Sequence, residues 1–191
     1  MKLNLGGGDK KYSGFLNVDI SPEYEPDVLC DLRKGIPIPD NSVEEIIASH
    51  IIEHLPDTKD IMNEIWRVCK NNAIISIIVP HERSLMAHAD PTHKRVFNEE
   101  SFKYFCLNGE HYWIHKSYGI KCKFILLDQE VCTERRFGYL KVTLKTVKNN
   151  DTEEKYKNNL YHQTLLKKIR DKIKCLKCFG RHYLRQRTFR H

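Results

Sequence analysis

The sequence lacks long apolar runs. No window approaches the ~18 uninterrupted apolar residues that a membrane-spanning helix needs. It also lacks a charged region followed by an apolar one at its start, because strand-like residues begin at Lys2. We therefore expect a cytoplasmic protein without a signal peptide. The 191 residues, 40% of them hydrophobic, suffice for one domain plus an appendage.

Paired metal-binding cysteines are also scarce. The seven cysteines are an odd number scattered through apolar segments, which favours reduced, packed thiols over a disulfide framework. Cys175 and Cys178 form the single C-x-x-C pair, and without a second pair it is weak evidence for a zinc or redox site.

Acidic residues are rare near the C-terminus. Residues 165–191 contain ten Lys/Arg and one acidic residue, whereas residues 1–164 contain 22 Lys/Arg and 24 Asp/Glu. This asymmetry predicts a nearly neutral domain, residues 1–150, and a basic, partly amphipathic helical extension, residues 151–191. The extension suits an acidic partner, either a membrane surface or a nucleic acid.

The apolar patterning predicts an α/β fold. Asp57 would cap a helix over 57–70, and residues 81–98 have the polar, unperiodic character of a loop. The strictly apolar segment 73–79 is typical of a strand covered on both faces. Strands are predicted at 2–5, 15–20, 27–31, 43–49, 73–79, 120–132 and 137–147.

The first three predicted strands end in features suited to a nucleoside. Gly6, Gly7 and Gly8 allow the backbone to approach a ligand closely, while Asp19 and Asp31 offer carboxylates for hydroxyls and an amine. A dinucleotide site is disfavoured, because the third glycine of G-x-G-x-x-G is missing and the crossover is too short for a full helix.

The segment from residue 3 to residue 97 resembles the small class I S-adenosylmethionine-dependent methyltransferases. The resemblance rests on the order and spacing of LNLGGG, NVD, HIIEHL and DPTHKRVF. It implies a Rossmann-like three-layer sandwich whose mostly parallel sheet ends in an antiparallel hairpin. S-adenosylmethionine is the implied cofactor.

The resemblance also implies roles for particular residues. The glycine turn would point backbone N–H groups at the methionine carboxylate of the cofactor. Asp19 would bind the ribose hydroxyls, Asp31 the adenine amine, and Leu32 the purine through its backbone N–H; His50 is also assigned to the cofactor. The family often has an acidic residue where Asn4 stands, which implies a different anchor for the glycine turn.

Three roles compete for the triplet His50, Glu53 and His54. Spacings of three and four would place all three on one helix face, as structural support beneath the cofactor. A second role is acid–base catalysis by His54, Glu53 or His93 from the facing loop. The third is a divalent metal, because some ubiquinone-pathway and small-RNA 2′-O-methyltransferases place Glu-x-x-Glu-His similarly; His50 replaces the first Glu, and we predict no metal.

These observations predict methyl transfer to an oxygen or nitrogen of a small-molecule, glycan or lipid-linked acceptor. Residues 90–95 would form a lid over that acceptor. The basic tail, residues 165–191, would contact the inner membrane face peripherally. An RNA methyltransferase that uses this tail is one alternative, and a non-catalytic binding or scaffold protein is another. The oligomeric state is not predicted.

Overall fold

A seven-stranded sheet forms the framework of the protein, and the computed structural model describes residues 1–109, 111–112 and 116–159. The strands are β1 (Lys2–Leu5), β2 (Leu16–Asp19), β3 (Val28–Leu29), β4 (Val43–Ser49), β5 (Cys69–Pro80), β6 (Phe124–Cys132) and β7 (Tyr139–Thr146). The helices named below are α1 (Thr58–Val68) and α2 (Leu85–Ala89). Shorter 3₁₀ segments cover Pro22–Tyr24, Leu32–Lys34, Ile52–His54, Ser101–Phe105 and Lys116–Tyr118.

The strand order is β3-β2-β1-β4-β5-β7-β6. The first five strands are parallel, and β7 runs antiparallel to both β5 and β6. The predicted α/β fold, a mostly parallel sheet with an antiparallel hairpin at its end, is confirmed. The order reverses next to β1, and this is where open α/β sheets bind ligands.

Strand β5 is longer than predicted and its two faces are covered unequally. Ile75, Ile77 and Val79 are fully buried, whereas Ile74 and Ile78 on the opposite face are only half-buried. The apolar run therefore predicts a central strand correctly but overstates the cover on its second face.

Helix α1 begins as predicted. The Asp57 carboxylate accepts hydrogen bonds from the backbone N–H groups of Lys59 and Asp60, at 2.8 and 3.3 Å. This satisfies two donors that the first helical turn would otherwise leave without partners. The buried face consists of Ile61, Met62, Ile65 and Val68.

Two local predictions need correction. Residues 81–98 are not purely a loop, since α2 lies within them; Ser84 caps this helix, which is too short to show helical periodicity. The segment after β4 forms a 3₁₀ turn, Ile52–His54, instead of a helix, and it ends where Leu55, the residue before Pro56, becomes extended.

The chain divides into two units, Met1–Glu153 and Glu154–His191. Residues 150–159 are helical. The amphipathic stripe and basic cluster predicted for residues 165–191 lie outside the described residues, so the extension stays a prediction. Across the described ranges, no helix has both the length and the apolar character needed to cross a membrane.

Candidate active site

The carboxyl ends of β1, β2 and β4 meet at one edge of the sheet. Leu5 pairs with Val18 on one side and with Ala48 on the other. The register therefore brings the residues that follow these strands together, including Gly6 and Asp19.

The glycine turn after β1 requires glycine for two different reasons. Gly6 and Gly8 have φ of 61° and 52°, in the left-handed region that other residues seldom adopt. A Cβ on Gly6 would lie 2.5 Å from the side chain of Ile51, and a Cβ on Gly7 would overlap the amide of Asn17. The turn is therefore constrained by its backbone conformation and by close packing.

The backbone donors of this turn differ from the expectation. Gly6 N donates to Val18 O at 2.8 Å, and Gly8 N donates to Asp19 Oδ2 at 2.9 Å. Two of the three N–H groups predicted to point at the cofactor thus donate within the protein, one to the backbone of β2 and one to the Asp19 carboxylate. The Gly7 amide is the remaining donor of the three.

Two buried asparagines anchor the turn. Asn4 Nδ2 donates to Lys10 O at 2.7 Å and to Asn17 Oδ1 at 3.0 Å. Asn17 Nδ2 donates to Gly8 O at 3.1 Å. This pair is the different anchor that Asn4 implied; sequence reasoning did not find Asn17, although a polar residue within a strand was a signal.

Asp19 lies at the centre of the first candidate site. Its side chain is only 8% exposed, and its two oxygens accept backbone hydrogen bonds from Ser21 N and Gly8 N, both at 2.9 Å. Each carboxylate oxygen has a second lone pair. Asp19 can therefore hold the glycine turn and also accept hydrogen bonds from two ligand hydroxyls.

Asp31 pairs with the neighbouring Arg33. Its Oδ1 accepts from Arg33 N and Nε at 3.0 and 2.8 Å, and its Oδ2 accepts from Arg33 Nη2 at 2.9 Å. These hydrogen bonds hold the pKa of the Asp31 carboxyl below its usual value. Asp31 also caps the turn Leu32–Lys34. One lone pair on Oδ2 is left for an exocyclic amine.

A cavity of about 220 Å³ connects these groups. It combines carboxylates with an apolar wall, the pattern a nucleoside requires for its hydroxyls and its base. Its lining residues are Gly6, Asp19, Ile20, Cys30, Asp31, Leu32, Arg33, Ile51, His54 and Leu55. The nucleoside half of S-adenosylmethionine therefore fits the donors and acceptors present here.

The turn after β4 carries a buried carboxylate. Glu53 is 1% exposed, and its Oε1 lies 3.3 Å from His50 Nδ1. Its Oε2 has no hydrogen-bond partner among the described residues. His50, predicted to contact the cofactor, lines a second cavity instead of the one described above.

The loop after β5 brings His93 to this turn. The rings of His54 and His93 are 4.8 Å apart between centroids, at 69° to each other. Ligand atoms of Glu53, His54 and His93 all lie within 4.8 Å of one another. The three predicted catalytic residues therefore form one cluster, and their donor atoms are also of the kinds that bind metals.

The second cavity, of about 320 Å³, opens above this cluster. Sequence reasoning missed the apolar residues that line it, which come from α2 and from the start of β7. The lining residues are His50, Glu53, His54, Pro80, Ser84, Met86, Asp90, His93, Phe137, Gly138 and Tyr139. A larger depression of about 370 Å³ beside α1 contains none of the predicted cofactor or catalytic residues.

Comparison with known proteins gives a family match over part of the chain. The methyltransferase domain family matches residues 10–77, which include Asp19, Asp31 and His54 but neither the glycine turn nor His93. No curated protein sequence matches the chain.

Solved structures share the fold at low sequence identity. A SAM-dependent methyltransferase from Archaeoglobus fulgidus has a TM-score of 0.53 and 17% identity, covering 76% of this chain and 85% of its own. One from Mesorhizobium loti has a TM-score of 0.50 and 12% identity, covering 75% and 89%. The cyclase SpnF has a TM-score of 0.55 and 15% identity, covering 78% and 75%. The methyltransferase-domain match over residues 10–77 supports S-adenosylmethionine-dependent methyltransferase activity, and the solved structures show that the chain shares the fold of such enzymes.

Proposed function

We propose that this methyltransferase transfers a methyl group to an oxygen or nitrogen of a small-molecule, glycan or lipid-linked acceptor. The observation that carries the proposal is the position of His54, which lines both the 220 Å³ cavity and the 320 Å³ cavity. A cofactor in the first cavity and an acceptor in the second would meet beside this side chain. Methyl transfer requires that meeting, because its rate depends mainly on alignment of the reacting atoms.

The first cavity would hold the cofactor through Asp19, Asp31 and the backbone of Leu32. S-adenosylmethionine, when bound, supplies an electrophilic methyl group on a sulfonium. The chain's own contribution is to fix the nucleoside at the strand ends and to leave the methyl group facing His54. Gly6 lines the same cavity and allows the backbone to approach the ligand.

The second cavity would hold the acceptor. Met86 and Phe137 are 38% and 58% exposed, so they offer an apolar surface for a ring or a short chain. The cavity lies near the lower end of the range of about 300–1,000 Å³ typical of ligand sites, which favours a compact acceptor group. Glu53, His54 and His93 would face its nucleophilic atom. A hydroxyl needs such activation, because a neutral alcohol is a poor nucleophile.

Transfer of a labelled methyl group tests the proposal. The purified full chain, given methyl-labelled S-adenosylmethionine and fractionated cell extract, should label a small-molecule, glycan or lipid fraction. His93→Ala should reduce labelling at least about tenfold, since general acid–base groups contribute about 10²–10⁴ in rate. Its affinity for S-adenosylhomocysteine should stay unchanged, because His93 lines the second cavity alone.

The matched control is His88→Ala, an exposed histidine of α2 that lines neither cavity. This variant should transfer labelled methyl groups to the same fractions as the wild type does. Cofactor binding by the wild type without transfer to any fraction would contradict the proposal and favour a non-catalytic binding protein.

The basic tail supports a second element of the proposal. Its ten Lys/Arg suit peripheral contact with an anionic membrane, which would bring a cytoplasmic enzyme to a lipid-linked acceptor. RNA is the alternative partner, because the same charges would neutralise phosphates. Labelling of an RNA fraction in the same experiment would favour that alternative.

A further inference from the structure

The buried Glu53 carboxylate lacks a full set of hydrogen-bond partners, which costs free energy in the protein alone. It is 1% exposed, and Oε2 has no hydrogen-bond partner among the described residues. A buried carboxylate is normally paired with a cation or fully hydrogen-bonded. His50 Nδ1 lies 3.3 Å from the other oxygen, Oε1, and its side chain is half-exposed. It makes no hydrogen bond to Oε2, whose loss of hydration is therefore not offset.

The hydrogen bonds around His54 fix which ring nitrogen carries the proton. Thr92 Oγ1 lies 2.6 Å from Asp90 Oδ1 and 2.9 Å from His54 Nδ1. The single hydroxyl hydrogen must go to the carboxylate, which only accepts, so Thr92 Oγ1 accepts from His54 Nδ1–H. The lone pair of His54 is therefore on Nε2.

The same reasoning applies to His93. Its Nδ1 lies 3.2 Å from Ala87 O, a carbonyl that can only accept, so Nδ1 carries a proton. Its Nε2 lies 3.6 Å from Asp90 Oδ2. Both atoms are electron-rich when this ring is neutral, so a positive charge beside them would be favourable.

We infer that Glu53, His54 and His93 bind a divalent transition-metal cation. Their ligand atoms lie within 4.8 Å of one another. Six-coordinate bonds of about 2.1 Å place neighbouring ligands about 3 Å apart, so small side-chain rotations would complete the site. Two imidazoles and one carboxylate suit Mn²⁺, Fe²⁺, Co²⁺ or Zn²⁺ better than Mg²⁺ or Ca²⁺. The hydrogen bonds at each Nδ1 are the outer contacts that orient histidine ligands.

The cation also indicates which class of acceptor the enzyme uses, an inference that rests on the proposed function. Three protein ligands leave positions open toward the 320 Å³ cavity, which suit an acceptor with two neighbouring oxygens. Binding to the cation lowers the pKa of the acceptor hydroxyl, so its O–H bond breaks and the proton passes to water. The oxygen then forms its bond to carbon as the sulfonium–methyl bond breaks, and the sulfur leaves as a neutral thioether. In this scheme His54 and His93 activate the acceptor as ligands of the cation, which replaces the direct acid–base role described under the proposed function.

Mn²⁺ binding to the full chain, without cofactor or acceptor, tests the inference. Free Mn²⁺ is counted by electron paramagnetic resonance. Mn²⁺ is the probe because the thiols of Cys175 and Cys178 would take a softer ion such as Zn²⁺. We expect one ion per chain, with at least tenfold weaker binding in Glu53→Gln and in His93→Ala. His88→Ala, in the neighbouring helix α2, should bind Mn²⁺ as the wild type does.

Thermal unfolding separates loss of the site from loss of the fold. Glu53→Gln removes a buried charge, so without metal it should melt at or above the wild-type temperature. Saturating Mn²⁺ should raise the melting temperature of the wild type and leave that of Glu53→Gln unchanged. Equal Mn²⁺ binding by both proteins, or none by the wild type, would overturn the inference.

Methyl-transfer assays with and without EDTA distinguish this inference from the proposed function. Transfer that EDTA leaves unchanged, in a chain that does not bind Mn²⁺, would refute the cation and leave the proposed function standing. Mn²⁺ binding that is lost in Glu53→Gln, without methyl transfer to any acceptor fraction, would support the cation and refute the proposed function.

Discussion

Replacement of Asp19 by alanine is the most direct test of the cofactor site. The replacement removes two roles at once: the Asp19 carboxylate accepts hydrogen bonds from Gly8 N and Ser21 N, and it lines the 220 Å³ cavity. Asp27→Ala is a matched control, because Asp27 also accepts a backbone hydrogen bond, from Asn17 N at 2.7 Å, but does not line that cavity. The comparison separates cofactor binding from general support of the strand ends.

The expected magnitude follows from the hydrogen bonds that Asp19 makes. Hydrogen bonds to a charged group contribute about 1.5–3 kcal/mol each, and loss of the two backbone bonds would loosen the glycine turn. Loss of the ribose contacts should weaken cofactor binding by at least about tenfold, equivalent to about 1.4 kcal/mol. Asp27→Ala should lose the stability of one such bond and keep wild-type affinity.

Calorimetric titration with S-adenosylhomocysteine measures the affinity, and urea unfolding measures the stability of each variant. We expect Asp19→Ala to lose both and Asp27→Ala to lose stability alone. If Asp19→Ala folds and binds with the wild-type dissociation constant, Asp19 does not contact the cofactor. If Asp27→Ala loses as much affinity as Asp19→Ala, the effect is general distortion of the sheet edge.

Three further predictions concern stability, thiols and the tail. Hydrogen bonds from Arg67 hold the pKa of Glu64 below its usual value, so this pair stabilises the fold at neutral pH and stops doing so as the pH falls through the folded pKa. Glu64→Gln should therefore cost about 1–2 kcal/mol in urea unfolding at pH 7 and less at pH 3; an equal cost at both would refute the ion pair. Burial raises the pKa of Cys69 and of Cys106 to about 12, so iodoacetamide at pH 8 should modify neither thiol in the native protein, as read by mass spectrometry; rapid modification of either would contradict its burial. Deleting residues 165–191 removes ten Lys/Arg and should abolish salt-dependent sedimentation with anionic vesicles, whereas retained binding would place the membrane contact elsewhere.

The strand ends that form the candidate cofactor site were largely predictable from the sequence. Largely buried strands end just before Gly6, at Asp19 and at Ser49, and parallel strands necessarily present such ends at one edge. The hydrogen-bond partners of these carboxylates were not predictable. The bidentate contact between Asp31 and Arg33 depends on a 3₁₀ turn, and the sequence shows only that the two residues are close.

The acceptor half was predictable only in part, because its residues come from non-local pairing. The HIIEHL and DPTHKRVF motifs named Glu53 and His93, but nothing in either motif places one against the other. Contact arises because Lys94 N donates to Glu53 O at 2.7 Å and fixes the loop on the turn. The hydrogen bond that orients His54, from Nδ1 to Thr92, depends on this docking.

The opposite wall of the 320 Å³ cavity, the proposed acceptor site, depends on the antiparallel strand β7. Pro80 pairs with Tyr139, His81 N donates to Gly138 O at 3.0 Å, and Ser84 Oγ donates to Arg136 O at 2.8 Å. These bonds bring the turn before β7 over the strand end that carries His81, and with it Phe137. The turn lies between two paired strands, so its length and composition can change without disturbing the parallel strands that carry the proposed cofactor site. Acceptor choice should therefore change when residues 133–138 are exchanged, while affinity for S-adenosylhomocysteine stays constant. An affinity that changes together with acceptor choice would show that the two halves of the site are coupled.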